Sequence, residues 1–166
     1  MAKTESFDVT TGCDLQEVDN ALNQARREIT GRFDFKGVLA ELEADHAAGT
    51  ILIHTADQYK LDAIWDVLLG RLVARKVPVM NVKRAEAQPA AGGTVRQVVT
   101  LVQAIDSETA KRIVKFIREQ RLKGVQAQVQ GDAVRISGPD RDDLQAAMKA
   151  LRERDWSIEL TFGNYR

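Results

Sequence analysis

Six consecutive residues hold the densest chemistry in the chain: Arg32-Phe33-Asp34-Phe35-Lys36-Gly37. Charges of sign plus, minus, plus alternate with two aromatic rings. Arg32 to Leu42 reads as a strand, which puts Arg32, Asp34 and Lys36 on one face and Phe33 and Phe35 on the other. Two cations flanking a carboxylate suit an anionic ligand. The guanidinium and ammonium hold phosphate at two points, and the carboxylate orients the bases. The same alternation equally describes a half-buried strand, with the Phe pair in a core and a solvated ion ladder outside. Gly37 marks a bulge, a close approach of another backbone, or only a kink.

A second polar surface is written into Val125 to Gln130 and Ala133 to Ser137, two strands joined by the tight turn Gly131-Asp132. Gln126, Gln128 and Gln130 share one face, and Val125, Ala127 and Val129 the other. Val134 and Ile136 belong to the core side, which leaves Arg135 among the glutamines. Amides and a guanidinium offer donors and acceptors for base edges and a fork for phosphate; they also simply solvate an antiparallel sheet. A third candidate is the helix carrying Lys111, Arg112, Lys115 and Arg118, with Arg121 and Lys123 beyond it. From residue 91 onward there are 13 Lys+Arg against 10 Asp+Glu, and before it 11 against 14. That asymmetry makes nucleic-acid binding more plausible for the second half, although a basic helix face is also an ordinary solvated one.

Several chemistries are excluded or disfavoured. The strands that would carry base-stacking aromatics in a single-strand RNA reader, Thr50 to Thr55, Val95 to Ile105 and Ala133 to Ser137, contain none. Neither a P-loop nor a GxGxxG loop is present. Cys13 has no base beside it in sequence, and one Cys excludes an internal disulfide. His46 and His54 lack neighbouring ligands, so no metal and no cofactor are expected. Asp140, Asp142 and Asp143 complement a helix dipole. The expectation is therefore not an enzyme. Zero formal net charge, 44% apolar residues and no long apolar run describe an ordinary globular chain. Its start, Met1-Ala2-Lys3-Thr4-Glu5-Ser6, lacks the apolar core of a leader peptide, so a cytoplasmic location with no membrane partner is expected.

The elements that must position these residues occur twice. Ser6 to Thr10 is a strand, and Asp14 caps a helix with the stripe Leu15, Val18, Leu22, Ala25 and Ile29, which ends at Gly31. The strands Arg32 to Leu42 and Thr50 to Thr55 follow. Asp57 then caps a helix with the stripe Leu61, Ile64, Trp65, Leu68, Leu69, Leu72 and Val73, and Val77 to Val82 closes the half as a strand. The second half repeats the order: a strand over Thr94 to Ile105, a helix capped by Asp106 or Ser107 with the stripe Ala110, Ile113, Val114 and Ile117, the glutamine hairpin, a helix opened by Pro139-Asp140, and a strand over Ser157 to Phe162. Two β-α-β-β-α-β units predict an α+β protein of two tandem ferredoxin-like domains. Each is a four-stranded antiparallel sheet with both helices on one face. Ala85 to Gly93 reads as the linker, which gives domains 1–90 and 91–166. Units this small invite exchange of an outer strand between them.

Arg32 to Gly37 resembles the hallmark of the YajQ family of bacterial proteins. Ser6 to Val9, Asp14 to Val18, Ala110 to Lys115, Val125 to Gly131, Val134 to Gly138 and Arg141 to Gln145 are also similar to it. So is the ending Thr161 to Arg166, with Gly163 and Tyr165 departing from the family's usual Asn and Phe. The resemblance implies tandem ribonucleoprotein-like domains and a non-enzymatic, cytoplasmic nucleotide-binding protein. Cyclic di-GMP, GTP or ATP would be the ligand. It further implies a cyclic di-GMP effector signalling to a transcription-factor partner, or alternatively an RNA-associated protein. Arg32, Asp34 and Lys36 are carried over as ligand contacts because they stand in the hallmark. Gln126, Gln128 and Arg135 are added from the open-face argument. Lys111, Arg112, Lys115 and Arg118 belong to the RNA alternative, with tRNA or rRNA as the partner.

Overall fold

The computed structural model describes residues 4–166. Residues 1–3 of the charged start considered above lie outside them. The elements run β1 (Glu5–Thr10), α1 (Leu15–Thr30), β2 (Ala40–Asp45), β3 (Thr50–Thr55), α2 (Gln58–Ala74), β4 (Val82–Arg84), β5 (Gln88–Ala90) and β6 (Thr94–Leu101). They continue with α3 (Ser107–Glu119), β7 (Gln126–Gln130), β8 (Ala133–Gly138), α4 (Arg141–Glu153) and β9 (Thr161–Gly163). The protein is α+β, with two antiparallel sheets and the ferredoxin-like order in each.

Among the described residues, the four α-helices each start at an aspartate whose carboxylate accepts first-turn N–H groups. Asp14 takes those of Gln16 and Glu17, Asp57 that of Lys60, Asp106 that of Thr109, and Asp140 that of Asp142. These acceptors satisfy donors that a helix leaves unpaired at its start. Most of the expected stripe residues are buried; Leu15, Trp65, Leu69 and Val114 are half-buried, and one position changes on α2. Val67 is buried and Val73 is 56% exposed, because at 100° per residue Val73 points well away from the line through Leu61, Ile64, Leu68 and Leu72.

The chain divides into two compact units. One is continuous, Gly12–Gln103; the other joins the stretch ending at Thr11 to Ala104–Arg166. The first contains β2-β3-β6-β4 in that order, with β5 also paired to β6. The second contains β7-β8-β1-β9. The first strand of each sequence half thus sits in the other half's sheet. The strands concerned, β1 and β6, are central in their sheets rather than outer. The physical cause lies in the segment read as a linker. Gln88–Ala90 is a strand antiparallel to β6, with Gln88 opposite Arg96. Gly92 and Gly93, at φ 73° and 75°, reverse the chain between them. Gln97 of β6, 5% exposed, secures the arrangement. Its amide donates to the Ala85 carbonyl at 2.8 Å and accepts from Arg84 Nε at 3.1 Å.

Each unit has its own core. In the continuous unit Ile51, Ile53, Leu61, Ile64, Leu68, Leu72 and Val99 are fully buried with α1's stripe. In the other, Phe7 and Val9 of β1 lie between Val134 and Ile136 of β8 and the inner faces of α3 and α4. Phe7 meets Phe162 edge to face at 5.8 Å. Other expected strands differ as well. Residues 79–81 form a 3₁₀ turn, so the strand read over Val77 to Val82 starts only at Val82; the one read to Ile105 ends at Leu101, and the last is only Thr161–Gly163.

Candidate functional site

The Arg32–Gly37 run is not a strand. Phe33–Phe35 is one 3₁₀ turn, closed by Phe35 N–H to the Arg32 carbonyl and Lys36 N–H to the Phe33 carbonyl, both at 3.2 Å. A turn breaks the period-two face on which Arg32, Asp34 and Lys36 were aligned, and it separates the two rings. Phe35 enters the core at 5% exposure while Phe33 stands 91% exposed. Two interactions favour the turn. Arg32 forks onto Asp34, Nε to Oδ1 at 3.0 Å and NH2 to Oδ2 at 2.8 Å. Lys60, in the first turn of α2, donates to the Asp34 carbonyl at 2.5 Å and lies 4.9 Å over the Phe35 ring. The fork lowers the Asp34 pKa and raises that of Arg32. Both side chains are more than one-third exposed, so the pair fixes geometry more than it stabilises.

Lys36, unlike Arg32 and Asp34, lines a crevice of about 430 Å³ behind the turn. Ile29, Phe35, Val38 and Leu42 supply apolar walls; Arg26, Thr30 and Lys36 supply polar ones. Arg26 is held in place. Its Nε donates to the Leu42 carbonyl at 2.9 Å, where NH2 also donates, and NH1 reaches Asn23 Oδ1 at 2.9 Å. Gly37 bends the chain at φ 73°, and a Cβ there would meet nothing within 4 Å. Conformation rather than space therefore asks for glycine. Arg26 was missed in the sequence because it reads as one more surface cation of α1.

The other three candidates lie in the second unit. Gln128 stands opposite Arg135, and Arg135 opposite Asp8, on the sheet face away from α3 and α4. Arg135 Nε donates to Asp8 Oδ1 at 3.0 Å, Asn164 Nδ2 donates to Asp8 Oδ2 at 2.6 Å, and Gln130 Nε2 donates to Gln128 Oε1 at 3.3 Å. Gln126 and Gln128 are exposed. The guanidinium expected for a ligand is already occupied on one side by Asp8, whose role depends on the β1–β8 pairing and so was not legible. The six candidates therefore divide three and three between the units.

The Arg135 hydrogen bond, and after it that of Asn164, hold the Asp8 carboxyl below its ordinary 3.8. A carboxylate with a lowered pKa stabilises the folded state above its unfolded value. That contribution is lost as pH falls through the lowered value. Asp8→Asn is accordingly expected to remove part of the acid sensitivity of this unit as pH falls below about 5. Urea midpoints across that range check it; parallel curves for the two proteins would show that Asp8 carries none of the linkage.

On α3, Lys111, Arg112, Lys115 and Arg118 are all exposed. Arg112 lies 5.6 Å from the Trp156 ring, and Arg154 covers both Trp156 at 4.8 Å and Phe116 at 5.0 Å. Trp156 is buried and donates to the Leu151 carbonyl at 3.0 Å, so it supports the arginines rather than reaching a partner. A second crevice in this unit, of about 460 Å³, has Phe7, Leu144 and Met148 as its floor and the Glu5–Arg141 fork at its edge. Among the described residues no three His, Cys, Asp or Glu side chains gather to hold a metal, and no helix is long and apolar enough to cross a membrane.

The family model described as "Nucleotide-binding protein YajQ-like" matches residues 5–166. A protein of Koribacter versatilis (strain Ellin345), named a nucleotide-binding protein, is 44% identical over 161 residues, 97% of this chain and 96% of its own. Proteins of the same description from Bacillus cereus (strain AH187) and Bacillus anthracis (strain CDC 684 / NRRL 3495) are each 43% identical over 166 residues, the full length of both chains.

Proposed function

The chain belongs to the family of YajQ-like nucleotide-binding proteins, and on that premise we propose that it binds a nucleotide at the Arg32–Gly37 turn and the crevice behind it. One observation carries the assignment: the hallmark turn builds a half-apolar crevice of about 430 Å³ with a lysine among its lining residues. That volume lies within the range of small-molecule sites. A base packs against Ile29, Phe35, Val38 and Leu42, and Lys36 receives a phosphate. The crevice lining contains no carboxylate, imidazole or thiol, which supports binding without turnover.

The finer reading is a cyclic di-GMP effector that passes its signal to a transcription-factor partner. A ligand with two bases and two phosphates has use for Arg32 and the exposed Phe33 as well as for the crevice. The guanidinium keeps free donors after its two bonds to Asp34. A mononucleotide such as GTP or ATP needs the crevice alone. Calorimetry with cyclic di-GMP, GTP and ATP tests both levels. Heat from at least one is expected, and silence from all three up to roughly 1 mM ligand would reject the proposal.

A second reading, RNA binding through α3, is favoured by Arg112 and Arg154 lying over Trp156, which extends the basic surface beyond Lys111, Lys115 and Arg118. Its expected mark is affinity that falls steeply with salt and drops on charge reversal at Lys111, Lys115 and Arg118. Indifference to both removes it.

A further inference from the structure

Among the described residues β7 is an edge strand, hydrogen-bonded only to β8. Natural sheet edges are blunted by charge, proline or a bulge. The edge strand β2 follows that rule, with Glu41, Glu43 and Asp45 exposed along it. β7 carries Gln126-Ala127-Gln128-Val129-Gln130, five residues with no charge and no proline. They pair one to one with β8, so there is no bulge either. Its outer apolar residue, Val129, is 46% exposed.

The ladder decides which backbone groups face outward. Gly131, at φ 58°, and Asp132 form a two-residue turn, and such a turn closes on a hydrogen-bonded pair, here Gln130 with Ala133. Alternation makes Gln128–Arg135 and Gln126–Ser137 the other bonded pairs. The N–H and C=O groups of Ala127 and Val129 are then the ones directed away from β8.

We propose that β7 is a self-association edge, on which a second copy of this chain adds its own β7 antiparallel about a two-fold axis at Gln128. That register sets Ala127 opposite the partner's Val129 and Val129 opposite the partner's Ala127. These are the outward-facing residues, so the two pairs exchange four backbone hydrogen bonds. The segment reads nearly the same in both directions, so like meets like. Gln126 faces the partner's Gln130, and Gln128 faces its own copy. A glutamine amide, both donor and acceptor, is complementary to itself. The same axis on β2 would bring carboxylates together instead. The result is one continuous eight-stranded sheet with the glutamines on a single face.

Cross-linking in the full-length chain tests this, with Cys13→Ser as background so that only the introduced thiol reacts. Residues directly opposite at a non-hydrogen-bonded position have Cα atoms about 4.5 Å apart, within disulfide reach. Gln128→Cys should therefore oxidise to a covalent dimer. Gln126→Cys, on the same exposed face, would lie about 14 Å from its own copy along the strands and should react at least about tenfold more slowly. Adding Val129→Pro removes an outward N–H without taking one from the β7–β8 ladder. It should suppress the Gln128→Cys dimer while leaving the thermal midpoint in place. Equal reaction at 126 and 128, or no dimer from Gln128→Cys, overturns the assignment whatever the proline variant does, and leaves the edge to a strand from another protein.

Discussion

A fragment of residues 12–103 is expected to fold alone with a cooperative urea transition, whereas a fragment of residues 91–166 is expected to stay unfolded. The continuous unit keeps its whole sheet and core when excised. The other fragment carries β6, whose partners are β3, β4 and β5, and lacks β1, whose Phe7 and Val9 are 1% and 0% exposed between β8 and β9. Loss of one buried Phe side chain costs about 3–5 kcal/mol. Loss of a whole central strand, with Phe7, Val9 and the ladders on both sides, therefore takes away an amount comparable to the roughly 5–15 kcal/mol that a domain has in total. Restoring β1 by joining residues 4–11 through a short flexible link to residues 104–166 should restore folding. Far-ultraviolet circular dichroism and amide chemical-shift dispersion report each case. A well-dispersed spectrum from 91–166 by itself would show that β1 is dispensable.

Lys36→Glu is expected to weaken binding of a phosphate-bearing nucleotide by about tenfold to a hundredfold, the scale of one charge-assisted hydrogen bond. The parent nucleoside, which lacks the phosphate, should bind as before. Lys36 is exposed, and its backbone N–H, not its side chain, closes the hallmark turn, so the thermal midpoint should hold. Arg32→Ala gives the complementary result. It should weaken a two-base ligand more than a mononucleotide, because Arg32 lies outside the crevice lining and acts on the crevice only through the turn its fork to Asp34 supports. Calorimetry on the two variants with one nucleotide and its nucleoside decides the matter. Unchanged affinity in Lys36→Glu would place the ligand elsewhere.

The helices were legible because their determinants are local. An aspartate before an apolar stripe at spacings of three and four specifies both a start and a buried face, and Asp14, Asp57, Asp106 and Asp140 all act as caps. The hallmark misled for an equally physical reason. Charged and aromatic residues in alternation imitate a strand, while the turn that forms depends on Asp34 meeting both Arg32 and Lys60, the latter 26 residues away. Period two reports which face of a strand is buried but not which strand lies beside it. Hence the alternation in β1 and β6 was visible and their sheet was not. Small residues with proline and glycines serve a linker and a hairpin alike, so Ala85 to Gly93 was read as the former. Asp8 was hidden among the residues of a short strand until Arg135 was placed opposite it. On the glutamine strand the alternation was read correctly, except that Val129, assigned to the core side, is half exposed at the sheet edge.

The ends of the continuous unit meet: Cys13 N–H donates to Gln103 Oε1 at 2.6 Å. Folding that insert therefore shortens, from about ninety residues to a handful, the loop that separates Thr11 from Ala104. Closing the long loop costs about 2–3 kcal/mol more entropy than closing the short one. The coupling is reciprocal. Melting the insert taxes the discontinuous sheet by that amount, and the folded sheet, by holding Thr11 and Ala104, closes the unfolded insert into a loop and so disfavours its melting by the same amount. Ribosomal emergence sets only the order, because the insert is fully synthesised before the last partners of β1 appear.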